Sequence, residues 1–197
     1  MLTSILAVLA ISAAAGMRIA LPLLIISLMD NQRFWSNVPL LSQIHPQLVL
    51  SILISWSLFE LFGSKQLLGQ RTLQVIQLTL SPIVGFLLAV AVGKFFEYET
   101  LQLWLIGISG GLLALLLQLV QAGWFFRLRG IPPWMAVSKD VLSILLVLYA
   151  FNAPEEGGLI AMMLLWLAIR SSSEWKKSYD RAPHPDYKSG STPSDRN

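Results

Sequence analysis

Residues 2–29 read LTSILAVLAISAAAGMRIALPLLIISLM, an apolar run broken by one charge, Arg18, four residues before Pro22. At about 1.5 Å per residue a helix of this length exceeds the roughly 30 Å hydrocarbon core of a bilayer. A central Arg costs about 2.5–3.5 kcal/mol on an insertion scale, whereas each Leu, Ile or Val returns about 0.3–0.6 kcal/mol. Thirteen such residues lie in the run, so it is expected to insert with Arg18 aboard as a single first span. Pro22 has no N–H to offer the carbonyl of residue 18, and its ring pushes that carbonyl aside. Guanidinium and freed carbonyl then belong to one residue, and groups of this kind survive only where protein or a water-lined cavity satisfies them. Arg18 is read either as a binder of an anionic group near the midplane or as a buried Arg that fixes helix packing. Glu60 and Asp140 are the available acids. Both are expected nearer the cytoplasmic face, which leaves Arg18 without an obvious counter-ion.

Five more apolar runs follow, at about 47–63, 73–93, 101–123, 136–153 and 157–172. With 55% hydrophobic and only 13% charged residues, the chain falls far below the roughly 25% charge of a soluble domain. Its mean hydropathy is +0.64. The expected fold is all-α: a polytopic transmembrane helix bundle of about six spans over residues 1–172. A three-plus-three division would make it an inverted repeat. The sixth run is short for a full crossing, and a re-entrant hairpin made from the fifth and sixth is the competing reading. Beyond residue 172 the composition turns to Ser, Lys, Asp, Pro and Gly, and residues 173–197 are expected to form a disordered cytoplasmic tail. Ala13-Ala14-Ala15 mimics a signal-peptidase site. Met1 to Ser4 carries no Lys or Arg, however, and the apolar run continues past it, so the segment is read as a retained helix.

Alternate loops differ sharply in basic residues. One side collects Lys65, Arg71, Arg127, Arg129, Lys139, Arg170, Lys176, Lys177, Arg181, Lys188 and Arg196, whereas the other has Arg33 and Lys94. The positive-inside rule places the first set, and with six spans both termini, in the cytoplasm. Trp35, Trp104, Trp124, Trp134 and Trp175 fall near span ends, as expected of interfacial rings. Trp56 and Trp166 fall within spans and are read as packing residues.

Gln70, Gln74, Gln77 and Ser81 share one helical stripe before Pro82, and they line either a polar path or a hydrogen-bonded helix contact. Gly107-Ile108-Ser109-Gly110-Gly111 imitates a nucleophile elbow without the strand–turn–helix setting that motif needs, and no histidine lies in the last span to serve as a base. Gly107 and Gly111 are instead read as a close helix-packing pair. With no cysteine and only His45 and His184 as imidazoles, no metal site, cofactor or nucleic-acid motif is expected, and neither is catalysis.

The string Gly16-Met17-Arg18-Ile19-Ala20-Leu21-Pro22-Leu23-Leu24 resembles the opening motif of a bacterial membrane family, domain of unknown function 4126. Ser81-Pro82 with Gly85 is similar to that family's third-span motif. Lys139-Asp140, followed by an apolar run to Pro154, is similar to its late acidic pair, a lysine replacing the first acid. Where the family is acidic before the third span, this chain has Lys65, Gln70, Arg71 and Gln74. The resemblance spans about residues 5–170. It implies an integral protein of a bacterial inner or thylakoid membrane and supplies no activity.

Two functions are expected from these residues. Permeation of a small solute or ion around Arg18, Pro22, Gln74, Gln77 and Ser81 requires a polar cavity there, and a dry, packed surrounding counts against it. A non-catalytic scaffold or assembly factor would instead use the Gly107 and Gly111 face to meet a second copy or another membrane protein.

Overall fold

The computed structural model describes residues 2–29, 45–63, 67–128 and 133–180. Among these residues the chain is all-helical, with seven helices and no strand: α1 (Leu2–Met17), α2 (Ala20–Met29), α3 (Pro46–Gly63), α4 (Leu67–Phe95), α5 (Thr100–Leu128), α6 (Pro133–Asn152) and α7 (Pro154–Asp180). Three helices open on proline, whose fixed φ and missing N–H suit the first helical position. The stop after α4 is a left-handed cap: Glu97 takes φ 58°, Tyr98 N–H donates to Gly93 O at 3.2 Å and Glu97 N–H to Lys94 O at 3.0 Å. Two segments, Thr72–Phe95 and Thr100–Gly123, are long and apolar enough to cross a membrane, each with mean hydropathy 2.2.

α1 is the hub. It is buried almost all round, from Ala7 to Met17, and packs against α4, α5, α6 and α7. Its Ala, Ser and Gly side chains let four helix backbones approach one axis. Three helices meet at Gly110, where an added Cβ would stand 2.5 Å from both Ala89 Cβ of α4 and Ser12 Oγ of α1. Gly107 and Gly111 also face α4, against Phe86 and the Pro82 carbonyl. That face of α5 is thus occupied within the chain.

Contacts also fix the helix directions. Gly110 meets Ser12 and Ala114 meets Gly16, so α5 runs parallel to α1. Gly157 meets Ala10, and Leu164 and Ala168 share a cavity wall with Met17, so α7 is parallel too. Ser143 and Asp140 of α6 reach Ala14 and Arg18 in turn, giving an antiparallel pair. α1 therefore begins at the end holding the α4–α5 and α6–α7 turns, while α7 finishes at the other end. The described chain thus starts and finishes at opposite ends of the bundle, which differs from the shared side expected. α7 also remains helical through Asp180, beyond the residue-172 boundary, and the chain after 180 lies outside the described residues.

The second correction concerns residues 2–29, which are not one span. Helical structure stops at Arg18 and Ile19. α3 ends beside Arg18 through Glu60 and joins α4 through residues 64–66 alone, so α3 runs parallel to α1. α2 packs along α3 and α6. The break is stabilised from outside α1: Ser143 Oγ donates to Ala14 O at 3.3 Å, Ser81 Oγ lies 3.5 Å from Ala15 O, and Gln121 Nε2 donates to Gly16 O at 3.0 Å. Gly16 O, which a further turn would have used, is taken by Gln121 of α5, and Ser143 adds a second donor to Ala14 O, which already accepts Arg18 N–H at 3.0 Å. Pro22, in the first turn of α2, needs no donor of its own there.

Two smaller readings also change. Trp166 is 56% exposed beneath the Arg170 guanidinium, 5.3 Å from its ring centroid, and is not a core packing residue. Lys139, counted among the loop cations, lies within α6. Trp104 and Trp134 are exposed, while the side chains of Trp35, Trp124 and Trp175 lie outside the described residues.

The glycine contacts make a discriminating prediction. Gly110→Ala meets a rigid Cβ and should lower stability by about 1–3 kcal/mol, read as a drop in Tm in detergent. Gly93→Ala meets only the movable end of Leu103 and should leave Tm nearly unchanged.

Candidate functional site

The turn after α1 carries Arg18, which is 5% exposed. Its Nε donates to Asp140 Oδ1 of α6, and its Nη1 stands 4.0 Å from Glu60 Oε2 of α3. The two acids do lie toward the basic end of the bundle, as the sequence suggests. Arg18 joins them there because α1 crosses from the opposite end and stops at their level. Arg18 is therefore not an unpartnered midplane charge.

A polar layer extends outward from this pair. Glu60 Oε1 accepts from Trp56 Nε1 at 3.2 Å and from Gln77 Nε2 of α4 at 3.0 Å. Gln77 Oε1 in turn accepts from Gln118 Nε2 of α5 at 3.3 Å. On the other flank Lys139 Nζ donates to Gln121 Oε1 at 3.0 Å, and Gln121 is the residue that caps Gly16. One sheet of side chains thus links α1, α3, α4, α5 and α6 at a single level. Among the sequence-named residues, Arg18 and Gln77 meet through Glu60. Ser81 sits beside them and donates to Ala114 O at 3.2 Å. Gln74 is buried on the same stripe. Pro22 is buried and shapes the turn without contributing a polar group. The side chain of Gln70 lies outside the described residues.

Sequence reasoning missed Trp56, Gln118, Gln121 and Ser143, and it set Glu60 and Asp140 aside. A signal existed for the two glutamines: they are polar residues three apart near the end of an otherwise apolar segment, and that spacing puts them on neighbouring positions of one face.

The site is closed. The space bounded by Arg18, Leu21, Ser57, Glu60 and Asp140 has no room for a water molecule. This packing counts against the polar cavity expected around Arg18. A separate cavity of about 150 Å³ lies between α1, α5, α6 and α7, lined by Met17, Leu117, Met135 and Leu164, with Lys139 and Gln121 in its wall. Among the described residues no group of three His, Asp or Glu gathers to hold a metal ion.

Breaking a buried ion pair from one side leaves an uncompensated charge, at a cost of about 3–5 kcal/mol. Arg18→Gln should therefore lower Tm markedly. Adding Glu60→Gln and Asp140→Asn to that variant should recover most of the loss, and thermal denaturation of the purified single and triple variants checks both statements.

No curated protein matches the chain, and no solved structure does. A family model described as domain of unknown function (DUF4126) matches residues 5–174, covering the break, the polar layer and the hub helix. The chain belongs to the DUF4126 family.

Proposed function

We propose that this chain is a multi-pass membrane protein that moves a small solute or ion past the Arg18 cluster, by rearrangement of packed helices and not through a standing pore. The bilayer reading is supported by an inverted distribution of polarity. Leu48, Ile52, Val75, Leu105, Leu112, Trp134 and Met163 are among many large apolar side chains on the outside, while Arg18, Glu60, Gln74, Gln77 and Gln118 are buried. An apolar exterior of that extent suits lipid and not water. α4 to α7 would each cross, while α1 would enter from one face and stop inside at Arg18, with α2 and α3 packed beside it as a shorter pair. The packing does not divide three and three, because α1 touches α4 to α7 and α3 packs chiefly on α2.

The basic residues near the 64–66 and 129–132 connections and the end of α7 mark the cytoplasmic side. Lys94, Glu97, Glu99, Glu155 and Glu156 mark the other. The N-terminus is then outside and the C-terminus inside, in a bacterial inner or thylakoid membrane.

The single observation that carries transport is a charged turn in a broken helix, ion-paired to carboxylates on two other helices. Intramembrane ionisable groups are expensive and mark pathways for substrate or protons. Broken helices are where transporters place their sites. Stability alone is a poor explanation for the cluster, because replacing buried ion pairs by well-packed apolar groups is often neutral or stabilising. The closed surroundings of Arg18 fit an occluded carrier and argue against a channel. They also favour the second reading, a non-catalytic scaffold whose partner would meet the lipid-facing surface and not the Gly107 and Gly111 face. No bond-making chemistry is proposed for either.

The chain has no native cysteine, so thiol access is a clean test. In reconstituted vesicles, Leu21→Cys and Ser57→Cys should react with a membrane-impermeant maleimide, faster than a thiol placed by Ala13→Cys in the hub helix. Absence of labelling at both positions from both sides would remove the carrier reading and leave the scaffold. Orientation is checked separately: an N-terminal epitope should be cut by protease added outside intact cells, and a C-terminal one should be protected.

A further inference from the structure

We infer that Glu60 is a proton-binding site, its Oε2 taking up and releasing a proton at the end of the Arg18 contact. This deepens the carrier reading and rests on it for the consequence, though not for the chemistry. Glu60 is 2% exposed. Its Oε1 is well supplied, accepting from Trp56 and Gln77. Its Oε2 is buried and accepts no hydrogen bond. The Arg18 guanidinium could serve that oxygen, yet it commits Nε to Asp140 and leaves Nη1 at 4.0 Å, beyond hydrogen-bonding reach. Two carboxylates thus compete for one guanidinium, and Glu60 holds the poorer share.

The other groups around this oxygen do not resolve the competition. From α3 come Trp56, already bonded to Oε1, and Ser57, which shares the closed space with Leu21 of α2. α4 presents Gln77, which is itself tied to Gln118 of α5. α6 presents Asp140, and its Lys139 directs Nζ to Gln121. A buried ionised oxygen without a donor is unfavourable, and uptake of a proton relieves it.

Volume decides which cation fits. The space bounded by Arg18, Leu21, Ser57, Glu60 and Asp140 holds no water-sized sphere, so a metal ion or an ammonium group would have to push these side chains apart, whereas a proton needs no added room. In the step, the carboxylate and one proton become a neutral carboxyl; no other bond changes and Arg18 keeps its charge. Among the described residues Asp140 is then the remaining counter-ion of Arg18. The attraction tying α3 to the turn is lost, and α3, packed chiefly on α2, is the helix freed to move. Proton uptake would in this way drive the opening of the occluded site.

The test uses the full chain in lipid vesicles and dicyclohexylcarbodiimide, an apolar reagent that adds to protonated carboxyls and leaves a stable N-acylurea locatable by peptide mass spectrometry. The adduct should form on Glu60 and rise as pH is lowered, by up to about tenfold per pH unit while the site is mostly ionised. It should vanish in Glu60→Gln. In Asp140→Asn the released guanidinium should turn to Glu60, and the adduct should fall severalfold. An adduct confined to Asp140, no adduct on Glu60 at any pH, or an unchanged yield in Asp140→Asn would overturn the assignment. Labelling of Glu60 does not depend on flux. An adduct there, in a protein whose thiols at positions 21 and 57 stay unreactive, would keep the proton site and remove the carrier.

Discussion

A helix that stops inside an apolar bundle leaves carbonyl groups, and here a guanidinium, where water cannot serve them. Every one of these groups must find a protein partner, and that constraint organises the polar half of this molecule. The carbonyl of Gly16 draws Gln121 from α5, Ser143 of α6 adds to the Arg18 N–H already on Ala14 O, and Ser81 of α4 lies against Ala15 O, while Arg18 draws Asp140 and Glu60 from α6 and α3. The acids then recruit their own donors, and Lys139 completes the other flank. Cations at the end of α1 are also favoured by the partial negative charge of its unpaired carbonyls. The layer is a chain of obligations that starts at one break.

The apolar half follows a different rule. α1 succeeds as a hub because it is built from small residues, and Gly16, Gly85, Gly110 and Gly111 remove the side chains that would hold helices apart. Close backbone approach multiplies dispersion contacts where lipid offers no hydrophobic gain for association. The two rules meet at Ser81, which sits against the carbonyls of Ala15 and Ala114 and so belongs to both the packed seam and the polar layer.

Helix positions were largely legible in the sequence, because apolar length and the prolines at 46 and 154 report them directly. The directions were not. Hydropathy is the same on both sides of Arg18, so nothing local distinguishes one straight helix from two, and the assumption of a straight span put both ends of the chain on one side. The same assumption separated Arg18 from its acids. Glu60 and Asp140 were set at the basic end, where they are, but Arg18 was set at mid-depth on a helix that does not continue. Gln118 and Gln121 were readable as polar residues on one face, yet their targets are a side chain and a backbone oxygen more than 40 residues away in sequence. Such pairings follow from packing and leave no local pattern.

The central position of α1 has a consequence for biogenesis. It is among the first segments of the described chain to leave the ribosome, and none of the four helices that enclose it yet exists. Its serines, its glycine and the charged turn must wait for these partners until residues near 81, 121 and 140 are made. Asp140 arrives last of the charged partners, so the Arg18 turn can be neutralised only after most of the chain has been synthesised. A helix that looks like an anchor by its place in the sequence is then the last to be settled by its contacts.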